Sequence, residues 1–172
     1  MRKSIAVSVV IASTLAATPL YARTMTVNVE IPRLNVAEYH RPYVAVYLEG
    51  ANGAVAANLS VWYQQKTTAE GAGTKWLPDL RQWWRKSGRS LKVPVDGITG
   101  PTRPVGKHQV KVSAAQLANV KPGAYTLIVE AVREVGGREL VKIPLTIAAG
   151  KSASGSAKGS SELGAVSVSV TP

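Results

Sequence analysis

Apolar and polar residues alternate with a period of two along most of this chain, which is the pattern of half-buried β-strands. Met25, Val27, Val29 and Ile31 alternate with Thr24, Thr26, Asn28 and Glu30, and Pro32 ends the run because it has no N–H for a ladder. Pro42 opens a second strand in which Val44, Val46 and Leu48 alternate with Tyr43, Ala45 and Tyr47. Both of its faces are apolar, so it is expected at the centre of a sheet. Asn52-Gly53 is a hairpin signal, and Val55 to Gln64 returns antiparallel with Leu59, Val61 and Trp62. His108, Val110 and Val112 alternate with Lys107, Gln109 and Lys111, giving a strand with one wet face. Ala124 to Glu134 is a strong strand. Gly136-Gly137 is the tightest hairpin signal in the chain, and Glu139 to Ile147 pairs back, with Pro144 marking an edge or a bulge. Leu163 to Thr171 closes the pattern, with Val166, Val168 and Val170 on one face. Seven or eight short strands joined by turns predict a mainly β fold, an immunoglobulin-like antiparallel β-sandwich with one short inserted helix. A closed barrel fits the same pattern, whereas a parallel α/β sheet would need strands and helices to alternate.

The inserted helix is the exception to the strand period. Trp76 to Arg89, WLPDLRQWWRKSGR, holds three of the four tryptophans. Pro78 suits a first helical turn, Asp79 complements the positive end of the helix dipole, and Arg85 and Lys86 complement the other end before Gly88. At about 100° per residue, Leu77, Leu80, Trp83 and Trp84 fall together and Arg81 and Arg85 lie on the flank. A helix of roughly two to three turns is not stable alone in water, so its tryptophans must dock on the strands.

Composition refines this picture. The 172 residues contain neither Cys nor Phe and carry a formal net charge of +11. Thiol catalysis, Cys-zinc sites and disulfides are therefore excluded. Met1 to Ala22 has the basic start, short apolar run and small final residue of a signal peptide, with cleavage expected after Ala22. Residues 1–22 hold Arg2, Lys3 and no acid, so residues 23–172 keep +9 and form a single domain expected in the periplasm. No later stretch is long and apolar enough to span a bilayer. Such a charge favours anionic ligands or partners, or is simply a solvated basic surface. Residues 149–161 are rich in Gly and Ser and read as a flexible loop. Leu91 to Pro104, dense in Gly and Pro, reads as an irregular surface connection.

Catalytic patterns are missing: there is no G-x-S-x-G elbow, no HExxH, no calcium loop and no phosphate or dinucleotide fingerprint. His40 and His108 are the only imidazoles, and a lone histidine in a strand is more often packed or exposed than catalytic. The chain is accordingly expected to be no enzyme, with neither catalytic residues nor a metal. The candidate binding surface is Trp76, Arg81, Trp83, Trp84 and Arg85, joined by Arg103, Lys107 and His108 and by Arg133 and Glu134. Indole faces stack on planar ligands and attract cations, while guanidinium groups fork carboxylates and phosphates. The competing reading is structural: Trp83 and Trp84 fasten the helix, the arginines cover its rim, and Arg133-Glu134 is a solvent-facing pair beside the hairpin. Nucleic-acid binding is not expected, since aromatics are few and the chain is exported.

WLPDLRQWWR, TRPVG, PGAYTLIVEAVREVGG and ELGAVSV, in this order, resemble a family of predicted periplasmic bacterial proteins, domain of unknown function 2271. That family usually has a His after the Arg-Glu of the long strand, where this chain has Val135. The family is associated with membrane-bound PepSY-type flavin reductases and iron uptake. The resemblance therefore implies an accessory or binding protein beside an inner-membrane or periplasmic redox or iron-uptake system, or else a haem or flavin carrier for a reductase.

Overall fold

The computed structural model describes residues 23–172. The leader expected over residues 1–22 lies outside them. Among the described residues nine strands form two sheets: β1 (Thr24–Ile31), β2 (Tyr43–Gly50), β3 (Val55–Trp62), β4 (Thr99–Gly100), β5 (Gly106–Val112), β6 (Gly123–Val132), β7 (Arg138–Ile147), β8 (Ala153–Lys158) and β9 (Ala165–Thr171). One sheet has the order β5-β1-β9-β8 and is antiparallel throughout. The other has the order β4-β3-β2-β6-β7 and is antiparallel except where the two-residue β4 runs parallel to β3. The expected mainly β chain with few helices is what is found.

The period-two pattern decides what each sheet buries. Met25, Val27, Val29 and Ile31 of β1, Val166, Val168 and Val170 of β9, and Val44, Val46 and Leu48 of β2 share one core with Leu127 and Val129 of β6 and the alternate apolar residues of β7. This core fills the space between the sheets. As expected, β2 lies centrally and is buried on both faces. Its other face, Ala45 and Tyr47, joins Val61, Tyr63 and Ile128 in a second core closed by Leu77, Leu80 and Trp83. The tryptophan-rich segment is thus a roof over the outer face of the five-stranded sheet.

The roof is not the continuous helix that the sequence predicts. A 3-10 turn at Gly73–Asp79 is followed by the α-helix α1 (Arg81–Lys86) and a 3-10 turn at Gly88–Ser90. Leu80, with ψ of 67°, breaks the backbone between the first two. Pro78 sits within the first 3-10 turn, and Asp79 does not cap α1, whose first turn contains no acid. The acid comes instead from the sheet. Glu130 of β6, fully buried, accepts hydrogen bonds from the backbone N–H groups of Gln82 (3.0 Å) and Trp83 (2.8 Å) and from Arg138 Nε (2.8 Å). It satisfies two N–H groups that the first turn of a helix leaves open. Trp83 is fully buried, with its indole N–H donating to Asn58 Oδ1 at 2.8 Å. Gly88 leaves room for that indole, since a Cβ there would come within 2.6 Å of the Trp83 ring. Beneath the roof, burial pushes the Tyr47 phenol well above its usual range, and the Glu130 charge adds to the shift.

Two further expectations are corrected. Residues 149–161, read as a flexible loop, contain the edge strand β8, which pairs with β9 from Ala153↔Val170 to Lys158↔Ala165. Its small residues give a weak period-two signal, yet the backbone ladder with β9 needs no large side chains, and Gly155 lies against Ile143 of the facing sheet. Arg133, read as half of a solvent-facing pair, is buried. Replacing Glu130 by Ala should lower the unfolding free energy by about 3 kcal/mol, because it strips acceptors from buried donors. Urea denaturation followed by tryptophan fluorescence measures this, and Glu130→Gln, which keeps one acceptor oxygen, is expected to lose less.

Candidate functional site

Between the roof and the β6–β7 hairpin lies a cleft of about 620 Å³. Trp76, Asp79 and Arg81 of the roof line one side, and Arg133, Glu134 and Val135 of the hairpin line another. The segment before β2 contributes Tyr39, His40 and Arg41, and Thr102 comes from the irregular connection. Trp76 is 44% exposed and Tyr39 36%, whereas Trp84 is only partly open and Trp83 is closed off. The three helix tryptophans therefore serve different ends, with Trp83 packing and Trp76 reaching the cleft.

The hairpin wall is built on an ion pair that the sequence reading missed. Arg133 donates from Nε (2.9 Å) and Nη2 (3.1 Å) to the two oxygens of Glu162, and both side chains are 5% exposed. Glu162 Oε1 also accepts the backbone N–H of Gly137 at 2.8 Å. The glycines of the hairpin are explained by this pair. A Cβ on Gly136 would stand 2.5 Å from the Arg133 guanidinium carbon, and one on Gly137 would stand 2.9 Å from Glu162 Oε1. They admit the flat ion pair against the backbone, while the turn's strained conformation falls on Val135, with φ of +51°. A β-branched residue there is a backbone outlier, and this one is 77% exposed. The Tyr39 ring covers Arg133 with its centroid 6.0 Å from the guanidinium carbon. Burial raises the Tyr39 pKa against the opposing pull of Arg133.

Glu162 is itself held in position. Its loop is anchored by Glu139 of β7, which accepts the backbone N–H groups of Ser160 (2.6 Å), Ser161 (3.1 Å) and Leu163 (2.8 Å) and the Ser160 hydroxyl (3.0 Å). Partial burial pushes the Glu139 pKa up, but these hydrogen bonds to the ionised form outweigh it and the net shift is downward.

The predicted candidate residues separate into groups. Trp76, Arg81, Arg133 and Glu134 meet at the cleft. Arg85 is exposed on α1, its Nε donating to the Arg81 carbonyl at 3.3 Å. Arg103 and His108 belong to a different cluster around the buried Trp62. The Arg103 guanidinium lies 5.6 Å from that ring, and the His108 ring meets it edge-on at 5.8 Å. His108 is held by Nε2 against the Pro104 carbonyl at 2.7 Å, and Lys107 is exposed on β5. Tyr39, His40 and Glu162 join or support the cleft without having been selected. His40 is only partly exposed, with Nε2 2.9 Å from Glu38 and Nδ1 3.5 Å from Glu134. The one signal for Glu162 was its place in the ELGAVSV stretch.

Val135→Asn should raise stability by about 1 kcal/mol, since Asn tolerates the left-handed backbone that Val does not. Thermal unfolding of the two proteins measures it. Glu139 gives a pH dependence of fixed sign. Its folded pKa is lowered, so its contribution is complete above the ordinary glutamate range and disappears as pH falls through the folded value. Between about pH 5 and about pH 3 the wild type should lose more stability than Glu139→Gln, as read from urea midpoints at each pH.

Among the described residues, no helix is long and apolar enough to cross a membrane. No curated protein and no solved structure matches the chain. The family model described as "predicted periplasmic protein (DUF2271)" matches residues 24–165, nearly all of the described fold, and the four stretches noted above each contribute to the cleft or to the Arg133–Glu162 pair behind it. The chain belongs to the DUF2271 family of predicted periplasmic proteins.

Proposed function

We propose that this is a non-enzymatic accessory protein of the periplasm that acts by binding, and that the cleft between the roof and the β6–β7 hairpin is where it binds. One observation carries the reading. Of the five large hydrophobic side chains exposed among the described residues, three (Tyr39, Trp76 and Val135) line this cleft. Apolar groups left in water around a concavity mark contact sites. The family description as predicted periplasmic supports export, and cleavage after Ala22 is part of this proposal. Binding rather than turnover is supported by His40, the imidazole of the cleft, whose two nitrogens both face carboxylates. The family's association with PepSY-type reductases and iron uptake makes an inner-membrane or periplasmic redox or iron-uptake protein the partner we expect.

A cofactor-carrier role is the second reading, favoured by aromatic rings beside guanidinium groups in one cleft. That lining suits a planar ring system with acidic substituents. It suits flavin better than haem, because His40 already directs both nitrogens to carboxylates and offers none to iron. Bound flavin would supply one- and two-electron transfer; Trp76 and Tyr39 would stack its ring and Arg81 would meet its phosphate.

Site-directed cross-linking from the cleft rim in the periplasm, with Trp76→Ala and Arg81→Ala as variants, tests the first reading. Each variant should reduce the cross-linked partner at least about fivefold, and undiminished yield with both would reject the cleft as the binding site. Visible absorption after adding flavin mononucleotide or haem tests the second, and an unperturbed spectrum for both ends it.

A further inference from the structure

We infer that the cleft selects aromatic acids: a planar ring lies against Trp76 and the Tyr39 ring as it moves aside, and a single oxyanion group, carboxylate or phosphate, docks on the buried, unpartnered edge of Arg133. This inference rests on the cleft being a binding site and names the chemistry of its ligand.

Arg133 carries more donors than Glu162 engages. A guanidinium has five N–H groups in a fixed plane. Glu162 engages the side-on edge, taking one hydrogen from Nε and one from Nη2. The end-on edge, formed by Nη1 and the second hydrogen of Nη2, is left over. Nη1 is buried and has no hydrogen-bond partner. A buried donor without an acceptor is unfavourable, and an incoming oxygen at that edge removes the deficit. The edge is a two-pronged fork of the spacing that carboxylates and phosphates accept in bidentate fashion. Glu162 and the glycine backbone of the hairpin hold the fork still, so little side-chain entropy is lost when it engages.

The ring site follows from position. Tyr39 covers the same guanidinium, with 6.0 Å between the ring centroid and the guanidinium carbon. A ligand whose acid reaches Nη1 must displace or slide along the Tyr39 ring, and Tyr39 is on the exposed segment before β2. Trp76 lines the same cleft and offers a second, larger face.

Charge limits the ligand further. Arg133 is neutralised by Glu162, and it acts as a directional donor more than as a net charge. Arg41 and Arg81, which line the cleft and form no ion pair among the described residues, supply the attraction for an anion. Glu70, Asp79 and Glu134 line it too and oppose a polyanion. These three acids outnumber Arg41 and Arg81, so the lining holds no net positive charge; the directional donors of Arg133 select the oxyanion, and a second anionic group on the ligand is opposed.

Calorimetric titration of the full protein with 2-naphthoate, 2-naphthyl phosphate and 2-naphthalenemethanol tests the inference. At least one of the two acids should bind about tenfold or more tightly than the alcohol, and the tighter acid identifies the oxyanion. Arg133→Gln combined with Glu162→Gln keeps the shape of the pair without a buried lone charge, and should bring the acids down to the affinity of the alcohol. Arg133→Lys keeps the charge but not the fork, and should lose most of the preference. Trp76→Ala should weaken all three probes. Equal binding of acids and alcohol by the wild type, still sensitive to Trp76→Ala, overturns this inference and leaves the binding cleft standing. An acid preference that survives in the double variant overturns it as well. Failure of all three probes to bind the wild type overturns this inference and leaves the cleft itself to the cross-linking test, and the wild-type comparison decides the matter even if the double variant does not fold.

Discussion

The carboxylate of Glu130 joins the two halves of this molecule. It stands on the outer face of a central strand, where a charged group would be costly if left alone. Two backbone N–H groups of the roof and the Arg138 guanidinium surround it. The roof in turn has no side-chain cap of its own: Leu80 precedes α1, and a helix of six residues does not persist without tertiary support. Each side supplies what the other lacks. The position of Trp76 and Arg81 at the cleft therefore depends on a residue in a strand almost fifty positions further along the chain.

The opposite wall follows the same logic at one more remove. Glu139 organises the loop before β9, the loop presents Glu162, and Glu162 clamps Arg133 with its plane against Gly136 and Gly137. A buried pair of this kind contributes little net stability, because desolvation offsets attraction. What it provides is orientation: the guanidinium is fixed in one rotamer with one edge engaged and the other directed away. Val135, strained and exposed at the tip of the same hairpin, shows that this turn is shaped by more than local preference. Its aliphatic side chain stands at the rim of the cleft.

Several features were legible in the sequence because their causes are local. Alternation identifies β1, β2 and β9 and the faces they bury, since a strand turns successive side chains to opposite sides. The apolar character of both faces of β2 gives its central place, and Pro144 fits the edge position of β7. The need for Trp83 to pack follows from the shortness of its helix. Other features were hidden for equally physical reasons. Small residues in β8 make a poor pattern while pairing well through the backbone. Asp79 looks in one dimension like the acid at the positive end of the helix dipole, but the break at Leu80 separates it from that role. His40 and Glu134 are unremarkable where they stand in the chain and are neighbours in space.

The sequence by itself determined which faces of the strands are buried, that an indole-rich segment must dock on them, and that thiol chemistry is absent. Those properties depend on residue type and on separations of a few positions. The tertiary structure decided which tryptophan reaches water, which carboxylate caps the roof, and that Arg133 is clamped by Glu162 instead of facing solvent. Each of these joins residues from different strands and loops, and only the packing of the two sheets and the roof brings them within hydrogen-bonding distance.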